Sequence, residues 1–444
     1  MLDFEEWIYH KQGGKKYCGY MEMHRPILYV GDPDLIRTIT VKDFEHFTDR
    51  RDLVFSDVFK EMLSVLNGKK WRETRSVISP TFSSSKMRLM HQLCLDNASN
   101  LSKYLLEEMK QNGEVQMKES FGRFTMDNIA ACAFGVNCNS FKDPNTEFAT
   151  HAGELFKPPT TYGFIHFVAL LTLPTWLYSK LPDPSLQTNS FFSRVVNKTI
   201  AHRDDKGSSR RDFLQLLLET KDKDGNRVLT NDSIVAQSVM FFIAGYDTTA
   251  TLLTCAGYSL ATNPDCQRAA QREIDGVLER HGGQLTYEAV SEMTYMDRVL
   301  SETLRIYPPG PRLERQCTKD YILPGTDVHI PRGVLVQMPI LVMHRDPEIY
   351  PDPLRFDPDR FLPEEKEKRH PCSYLPFGNG PRNCIAMRFA LFEAKVALIA
   401  ILRESNLRPG PRTPPPPMPM NMTGFLLSPK MDAAYMKVKP RSED

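Results

Sequence analysis

Residues 377–386, which read FGNGPRNCIA, decide the fold and contain one cysteine, Cys384. An apolar helix is predicted directly after this stretch, over residues 387–403. At a helix start, free backbone N–H groups and the positive end of the helix dipole favour a thiolate over a thiol. Gly378 and Gly380 permit a tight turn and a close approach of the backbone to a flat ligand. The residues alone leave two interpretations open: a metal-bound thiolate, or a buried cysteine in a glycine-rich loop.

The longest predicted helix begins near Thr230, a good N-cap residue, and ends at Asn263 before a proline. It would be roughly 48 Å long and would cross a whole domain. Its centre reads AGYDTT, residues 244–249. A glycine in a helix interior costs about 1 kcal/mol relative to alanine, and a threonine hydroxyl can compete for the carbonyl four residues earlier. The motif predicts either a groove for dioxygen and water, with Asp247 and Thr248 as a proton relay, or a buried helix packed closely through small residues.

Two further helical segments carry charged side chains that share a face. A helix predicted over residues 294–306 places Glu302 and Arg305 three positions apart, where they can pair. In the segment WRETR, Trp71 and Arg75 are four residues apart. Exposed pairs of this kind are common and weak, so these residues alone are equally consistent with an ordinary solvated surface.

Length, charge and cysteine content limit the class of protein. The 444 residues contain no long Gly/Ser linker, which indicates one continuous fold with a large buried interior. The chain has 56 Lys and Arg against 55 Asp and Glu, and this balance argues against nucleic acid as the main partner. The nine cysteines include no C-x-x-C pair, which argues against zinc-ribbon and thioredoxin-like sites and indicates a reducing compartment. No apolar run reaches about 18 residues, so no membrane-spanning helix is predicted, and the N-terminus lacks the apolar region of a signal peptide.

Taken together, the motifs resemble those of cytochromes P-450. The haem-binding signature of that family, Phe-x-x-Gly-x-Arg-x-Cys-x-Gly, is matched by Phe377, Gly380, Arg382 and Cys384, with Ala386 in place of the last glycine. The AGYDTT segment is similar to the oxygen-activation motif of the family. The motifs occur in the expected order along nearly the whole chain. The segments AGYDTT, RLERQC, FDPDRF and FGNGPRNCIAMRFAL look most like the animal drug- and steroid-oxidising family 3 and its relatives, which include thromboxane synthase.

The resemblance implies a role for individual residues. Cys384 would be the axial thiolate ligand of the iron of haem b, which favours O–O cleavage, and Phe377 and Ala244 would contact the haem. Thr248 would hydrogen-bond the activated oxygen, and Asp247 would help to deliver protons. The haem propionates would lie in a cradle formed by Arg50, Trp71, Arg75, Arg315 and Arg382. A structural network of buried charges would be formed by Glu302, Arg305 and Arg360.

The resemblance also implies a fold, a reaction and a cellular setting. The fold would be mainly α, a single triangular domain over residues 1–444 with small β-sheets and with haem between the long helix and the helix after Cys384. The protein would be a haem-thiolate monooxygenase that inserts one oxygen atom from dioxygen into a lipophilic small molecule. Electrons would come from NADPH through NADPH–cytochrome P-450 reductase, with cytochrome b5 as a further donor, at the cytoplasmic face of the endoplasmic reticulum membrane. The donor would dock on a basic face formed by Lys366, Lys368, Arg369 and Arg382. Microsomal members begin with a membrane helix and a proline-rich hinge, and this chain is expected to begin after both.

Several features leave alternatives open. The apolar run at residues 163–173 is expected either to touch a membrane or to belong to the core. The substrate-recognition segments are expected near residues 50–66, 155–190, 235–248, 308–314 and 420–428, and their apolar character indicates a lipophilic substrate. One rival function is a haem-thiolate isomerase of lipid endoperoxides, which needs neither dioxygen nor a reductase, and the intact Asp247–Thr248 pair argues against it. The other rival is an inactive, truncated haem binder.

Overall fold

A computed structural model describes residues 2–51, 60–143, 146–154, 186–206, 212–220, 227–423 and 425–443, with short pieces between residues 165 and 181. Over these residues the protein is mainly helical with small β-sheets, as the resemblance implies. The apolar run at 163–173 and the expected recognition segment at 155–190 lie in part outside the described residues. The recognition segment at 50–66 lies outside them in part.

Helices make up most of the described chain. In chain order they are α1 Leu2–Lys11, α2 Pro33–Arg37, α3 Gly68–Ile78, α4 Ser84–Asn112, α5 Met117–Ile129, α6 Glu147–Glu154, α7 Thr175–Tyr178, α8 Leu186–Lys206, α9 Phe213–Leu218, α10 Asn231–Thr262, α11 Pro264–Arg280, α12 Tyr287–Glu292, α13 Thr294–Ile306, α14 Ile340–His344, α15 Pro363–Glu367 and α16 Met387–Leu402. A π-helical turn, Ala130–Phe134, continues α5 and stops at Gly135, which has a left-handed backbone conformation.

Short strands form four small sheets among the described residues. The strands are β1 Tyr17–Glu22, β2 Arg25–Val30, β3 Val115–Gln116, β4 Leu313–Gln316, β5 Tyr321–Ile322, β6 His329–Ile330, β7 Leu335–Met338, β8 Ser405–Arg408, β9 Met420–Thr423, β10 Leu426–Pro429 and β11 Tyr435–Pro440. The largest sheet has the order β1-β2-β7-β4, in which only the pairing of β2 with β7 is parallel. A second sheet has the order β3-β11-β8 and brings the C-terminal strands onto the start of α5. Small sheets therefore lie near both ends of the chain, in agreement with the small β-sheets that the resemblance implies.

The long helix α10 has the bounds that its sequence predicts. Thr230 is its N-cap, and the side chain of Thr230 accepts a hydrogen bond from the backbone N–H of Ser233 at 3.1 Å. Among the described helices, α10 is long and apolar enough to cross a membrane, and 72% of its most apolar stretch is buried inside the protein. It forms the centre of the larger hydrophobic core, in which α5, α13 and α16 also take part.

Helix α5 packs very closely against the centre of α10. A Cβ atom at Gly245 would lie 2.7 Å from Cδ1 of Ile129 on α5, well inside van der Waals contact. The glycine therefore permits this approach of the two helices. Close packing, which the sequence left as one of two explanations of the motif, is one real reason for Gly245, and it brings polar residues of α5 within reach of α10.

Candidate active site

The loop before α16 fixes the backbone on both sides of Cys384. The backbone N–H of Cys384 donates to the carbonyl oxygen of Phe377 at 2.8 Å. Gly380 has φ of +69°, and a Cβ atom there would lie 1.8 Å from the carbonyl oxygen of Thr40, so no other residue fits. Ala386 is the residue before α16 and has φ of −94°, a conformation that alanine adopts freely. The departure from the family signature at this position therefore causes no backbone strain.

The Cys384 thiol is accessible although its surroundings belong to the core. Cys384 is exposed, whereas neighbouring residues of the loop and of α16 pack into the larger core, which indicates an internal cavity at the sulfur. Burial raises the pKa of the Cys384 thiol, and the Ala386 backbone N–H and the cations Arg75 and Arg50 oppose this rise without cancelling it. The backbone donor at the helix start therefore favours the thiolate, as predicted, but desolvation of the free thiol outweighs it. A metal cation bound to the sulfur would supply the missing compensation.

Helix α10 is open at its centre. Its residues from 233 to 242 and from 249 to 261 are buried, but Ala244 between them is exposed. The Thr248 hydroxyl donates to the carbonyl oxygen of Ala244 at 2.5 Å, as a threonine four residues later is expected to do. The Thr125 hydroxyl of α5 donates to the carbonyl oxygen of Tyr246 at 3.0 Å. An accessible alanine in the middle of a buried helix indicates that an interior cavity also reaches α10.

Asp247 has a buried partner that the sequence reasoning missed. The ammonium nitrogen of Lys118, on α5, lies 2.7 Å from Oδ1 of Asp247 and 3.1 Å from the Asp247 carbonyl oxygen. The sequence shows Lys118 at the start of a predicted helix, and the structure shows that nearly all residues of this helix are buried. A lysine is rarely buried without a charged partner, so this position could have been marked for one.

Arginines from four separate segments gather beside the Cys384 loop. Arg75 donates through both Nη atoms to Asn383, to its carbonyl oxygen and its side-chain oxygen, each at 2.9 Å. Arg382 donates to the carbonyl oxygen of Thr48 at 2.7 Å, and its guanidinium lies 4.8 Å from the ring centre of Trp71. The cluster is composed of the five residues expected to form the cradle: Arg50, Trp71, Arg75, Arg315 and Arg382.

The electrostatics of this arginine cluster fit an anionic ligand. Burial and the nearby guanidinium groups of Arg50 and Arg382 hold the pKa of Arg315 well below its usual range. Burial and Arg50 lower the pKa of Arg382 to about 9. The Nε atoms of Arg315 and Arg382 are buried and have no hydrogen-bond partner among the described residues. A group with two carboxylates, as the propionates of haem provide, would neutralise this excess of buried positive charge. The residues present therefore fit haem.

The charge network around Glu302 forms as expected. The Glu302 carboxylate receives two hydrogen bonds from Arg305, at 2.7 and 2.8 Å, and both side chains are fully buried. Nε of Arg360 lies 3.4 Å from the same carboxylate, and Arg305 also donates to the carbonyl oxygen of His344 at 2.8 Å. These contacts tie α13 to two later segments of the chain, which fits a structural role.

The expected basic docking face must be corrected at Arg382. Arg382 is only 2% exposed and points into the cradle, so it cannot contact a partner. Arg369 is half-buried, with its guanidinium 5.0 Å from the ring centre of Tyr350. The ammonium group of Lys368 pairs with Glu365 at 2.6 Å. Arg382 is close to Cys384 in sequence, but its side chain points into the interior, so proximity along the chain does not place it on the docking face.

Comparisons with known proteins place these features in a family. The family model described as Cytochrome P450 matches residues 7–434. Cytochrome P450 9e2 of Blattella germanica is 40% identical over 446 residues, which cover 92% of this chain and 83% of the relative. A protein described as probable cytochrome P450 6a14 of Drosophila melanogaster is 36% identical, covering 98% of this chain and 89% of the relative. Cytochrome P450 3A31 of Mesocricetus auratus is 38% identical, covering 97% of this chain and 86% of the relative. The resemblance to family 3 is confirmed, and insect members of families 6 and 9 are similar to this chain to the same degree.

Proposed function

The chain belongs to the cytochrome P450 family, whose members are haem-thiolate monooxygenases, and we propose that it inserts one oxygen atom from dioxygen into a lipophilic small molecule. The observation that carries this proposal is the pairing of an accessible Cys384 with a cluster of arginines, in which the buried Nε atoms of Arg315 and Arg382 have no hydrogen-bond partner among the described residues. Haem needs two kinds of contact here: a thiolate ligand for its iron and cationic side chains for its two carboxylates. Haem, when bound here, would supply the iron at which dioxygen is reduced and activated.

The protein's own residues would do four things. Cys384 would bind the iron, with the Ala386 N–H donating to the sulfur and moderating its electron donation. The arginine cluster would orient the cofactor by pairing with its carboxylates. Asp247 and Thr248, at the open turn of α10, would hold and move protons where dioxygen is consumed. The apolar walls of the core around this opening would exclude water and favour an apolar substrate.

We further propose the redox partner and the location that the family resemblance suggests. The electron donor would be a flavoprotein reductase that uses NADPH, with cytochrome b5 as a second donor, and the protein would act at the cytoplasmic face of the endoplasmic reticulum membrane. Support for this comes from the resemblance of the motifs to microsomal members of the family and from the similarity to mammalian relatives in family 3A. Exposed cations of α15 such as Lys366 would take part in docking, without Arg382.

The first test is the carbon monoxide difference spectrum of the dithionite-reduced protein. We expect a strongly red-shifted Soret band that is lost in Cys384→Ser. Cys372→Ser is the matched control, because Cys372 lies in the same region, is buried, and accepts a hydrogen bond from Asn379 instead of facing a cavity. A band that survives Cys384→Ser, or that Cys372→Ser removes, would refute the ligand assignment.

A second test separates the monooxygenase from the isomerase. Oxidation of a lipophilic probe such as 7-ethoxycoumarin should require NADPH, reductase and dioxygen. Turnover of a lipid endoperoxide without reductase, in the absence of such oxidation, would overturn the proposed reaction.

A further inference from the structure

The ammonium group of Lys118 has all three of its protons engaged. It binds Oδ1 of Asp247 at 2.7 Å, the carbonyl oxygen of Asp247 at 3.1 Å and the hydroxyl oxygen of Thr251 at 2.7 Å. The Thr251 hydroxyl lies 3.4 Å from the hydroxyl of Ser428 on β10. An ammonium group has only three donors, so this one cannot turn toward another partner without breaking a contact. Lys118 is therefore fixed against one turn of α10.

Asp247 is one helical turn from the exposed Ala244, and Lys118 binds it from α5. The side chain of Lys118 is 9% exposed and that of Asp247 is 13% exposed. Burial lowers the pKa of Lys118, and the carboxylate of Asp247 opposes that change. The two charges are thus mutually dependent: an unpaired charge of either sign would be costly at this depth. Thr248, the next residue, already uses its hydroxyl on the Ala244 carbonyl, so Asp247 is the side chain of the proposed relay that Lys118 can hold in place.

We propose that Lys118 is a positioning residue for proton delivery, which holds the Asp247 carboxylate in one orientation at the open turn of α10. The proposal rests on the monooxygenase function above. The reaction R–H + O2 + 2e⁻ + 2H⁺ gives R–OH + H2O, so two protons must reach the site in each cycle. The Asp247 carboxylate can accept each proton from water and pass it on only if it stays oriented toward the open turn of α10. The contact with Lys118 fixes this orientation.

The test compares two oxidants in the haem-loaded, full-length protein. Hydrogen peroxide brings its own protons and electrons, since R–H + H2O2 gives R–OH + H2O. With 7-ethoxycoumarin as probe, Lys118→Met should lower NADPH- and dioxygen-driven turnover about tenfold to a hundredfold and leave peroxide-driven turnover within about twofold. The lost turnover should appear as released hydrogen peroxide. Lys118→Arg, which keeps the charge, should recover much of the loss, and Lys118→Gln serves if the Met variant folds poorly.

The matched control is Thr125→Val on the same helix. Thr125 also bonds a carbonyl of the open turn, that of Tyr246, but carries no charge and does not touch Asp247. Thr125→Val should leave the ratio of dioxygen-driven to peroxide-driven turnover unchanged. If Lys118→Met lowers both turnovers equally, as a general disturbance of the helix would, the proposal is wrong.

A second measurement does not depend on turnover. In urea unfolding, Lys118→Met and Asp247→Asn should each lower the midpoint, and the double variant should lie no lower than either single variant, because the two changes remove one shared interaction. Additive shifts would overturn the proposed pairing. If wild type oxidises the probe with neither oxidant, the proposed function fails for that probe, and the unfolding cycle still decides whether Lys118 holds Asp247.

Discussion

Replacement of Arg315 by methionine is predicted to stabilise the haem-free protein and to weaken haem binding. Arg315 is fully buried, and its Nε atom has no hydrogen-bond partner among the described residues. Its Nη1 atom donates to the Glu314 carbonyl oxygen at 2.9 Å, and its Nη2 atom lies 3.4 Å from the Asn379 carbonyl oxygen. The nearby guanidinium groups of Arg50 and Arg382 repel it. Without an anionic ligand, this side chain is a poorly compensated buried charge.

The size of both effects follows from this environment. Replacing poorly compensated buried charge by an apolar side chain of similar volume is neutral or stabilises a protein by about 1–4 kcal/mol. We expect a gain in that range for the unfolding free energy of the haem-free protein. A hydrogen bond to a charged partner contributes about 1.5–3 kcal/mol, so loss of the bond to a propionate should weaken haem binding about tenfold to a hundredfold.

The assay combines urea unfolding of the haem-free protein with a haem titration followed at the Soret band. Arg51→Met is the control: Arg51 is 7% exposed but is well paired, with Glu314 at 2.8 Å and with Glu22. This variant should destabilise the protein with and without haem. If Arg315→Met destabilises the haem-free protein as much as Arg51→Met does, or leaves haem affinity unchanged, the interpretation of the arginine cluster is refuted.

Three further predictions concern other buried residues. Glu302→Ala leaves Arg305 as an unpaired buried charge and should cost about 3–5 kcal/mol and abolish haem incorporation; a well-folded, haem-loaded variant would contradict this. Glu393 is fully buried with one hydrogen bond, from Asn128 at 2.9 Å, and burial raises its pKa from 4.5 to about 8. Its contribution to stability is therefore complete below the unfolded pKa and is lost as pH rises toward the folded pKa, by about 2 kcal/mol between pH 6 and 8; urea midpoints should show this loss in wild type and not in Glu393→Gln. Gly245→Ala should lower the thermal midpoint through an overpacking cost of about 1–3 kcal/mol, which Ile129→Val should partly relieve.

Local signals predicted the elements of the fold well. The bounds of α10 and α13 follow from a threonine cap and from prolines, which act within a few residues of the helix ends. The turns at Gly135 and Gly380 likewise have left-handed backbone conformations that glycine adopts without strain. These features could be predicted because each depends on a short piece of chain.

The direction of side chains in the Cys384 loop could not be predicted in this way. Arg382 is two residues from Cys384, and the same guanidinium was expected both in the cradle and on the docking surface. The loop turns through two glycines with positive φ, Gly378 and Gly380, so alternation of sides along the chain does not apply there. Which way Arg382 points depends on carbonyl acceptors at Thr48 and Leu66, more than 300 residues earlier in the chain.

The pairing of Lys118 with Asp247 was missed for a related reason, and the same packing explains both sides of the AGYDTT motif. The two residues are 129 positions apart. Their contact of 2.7 Å requires α5 and α10 to pack closely and to present the faces that carry Lys118 and Asp247 to each other. Gly245 permits that approach, because any larger residue would meet Ile129. Gly245 and Asp247 therefore depend on the same packing. Because position 245 has no side chain, α5 can pack close to α10, and α5 carries Lys118, which binds Asp247.

It follows that Gly245→Ala, by pushing α5 outward, should lower the ratio of dioxygen-driven to peroxide-driven turnover in the same direction as Lys118→Met. If Gly245 permits the close packing of α5, Ile129→Val should partly restore the turnover ratio of Gly245→Ala. If Gly245 served only to make room for dioxygen, Ile129→Val would not restore this ratio.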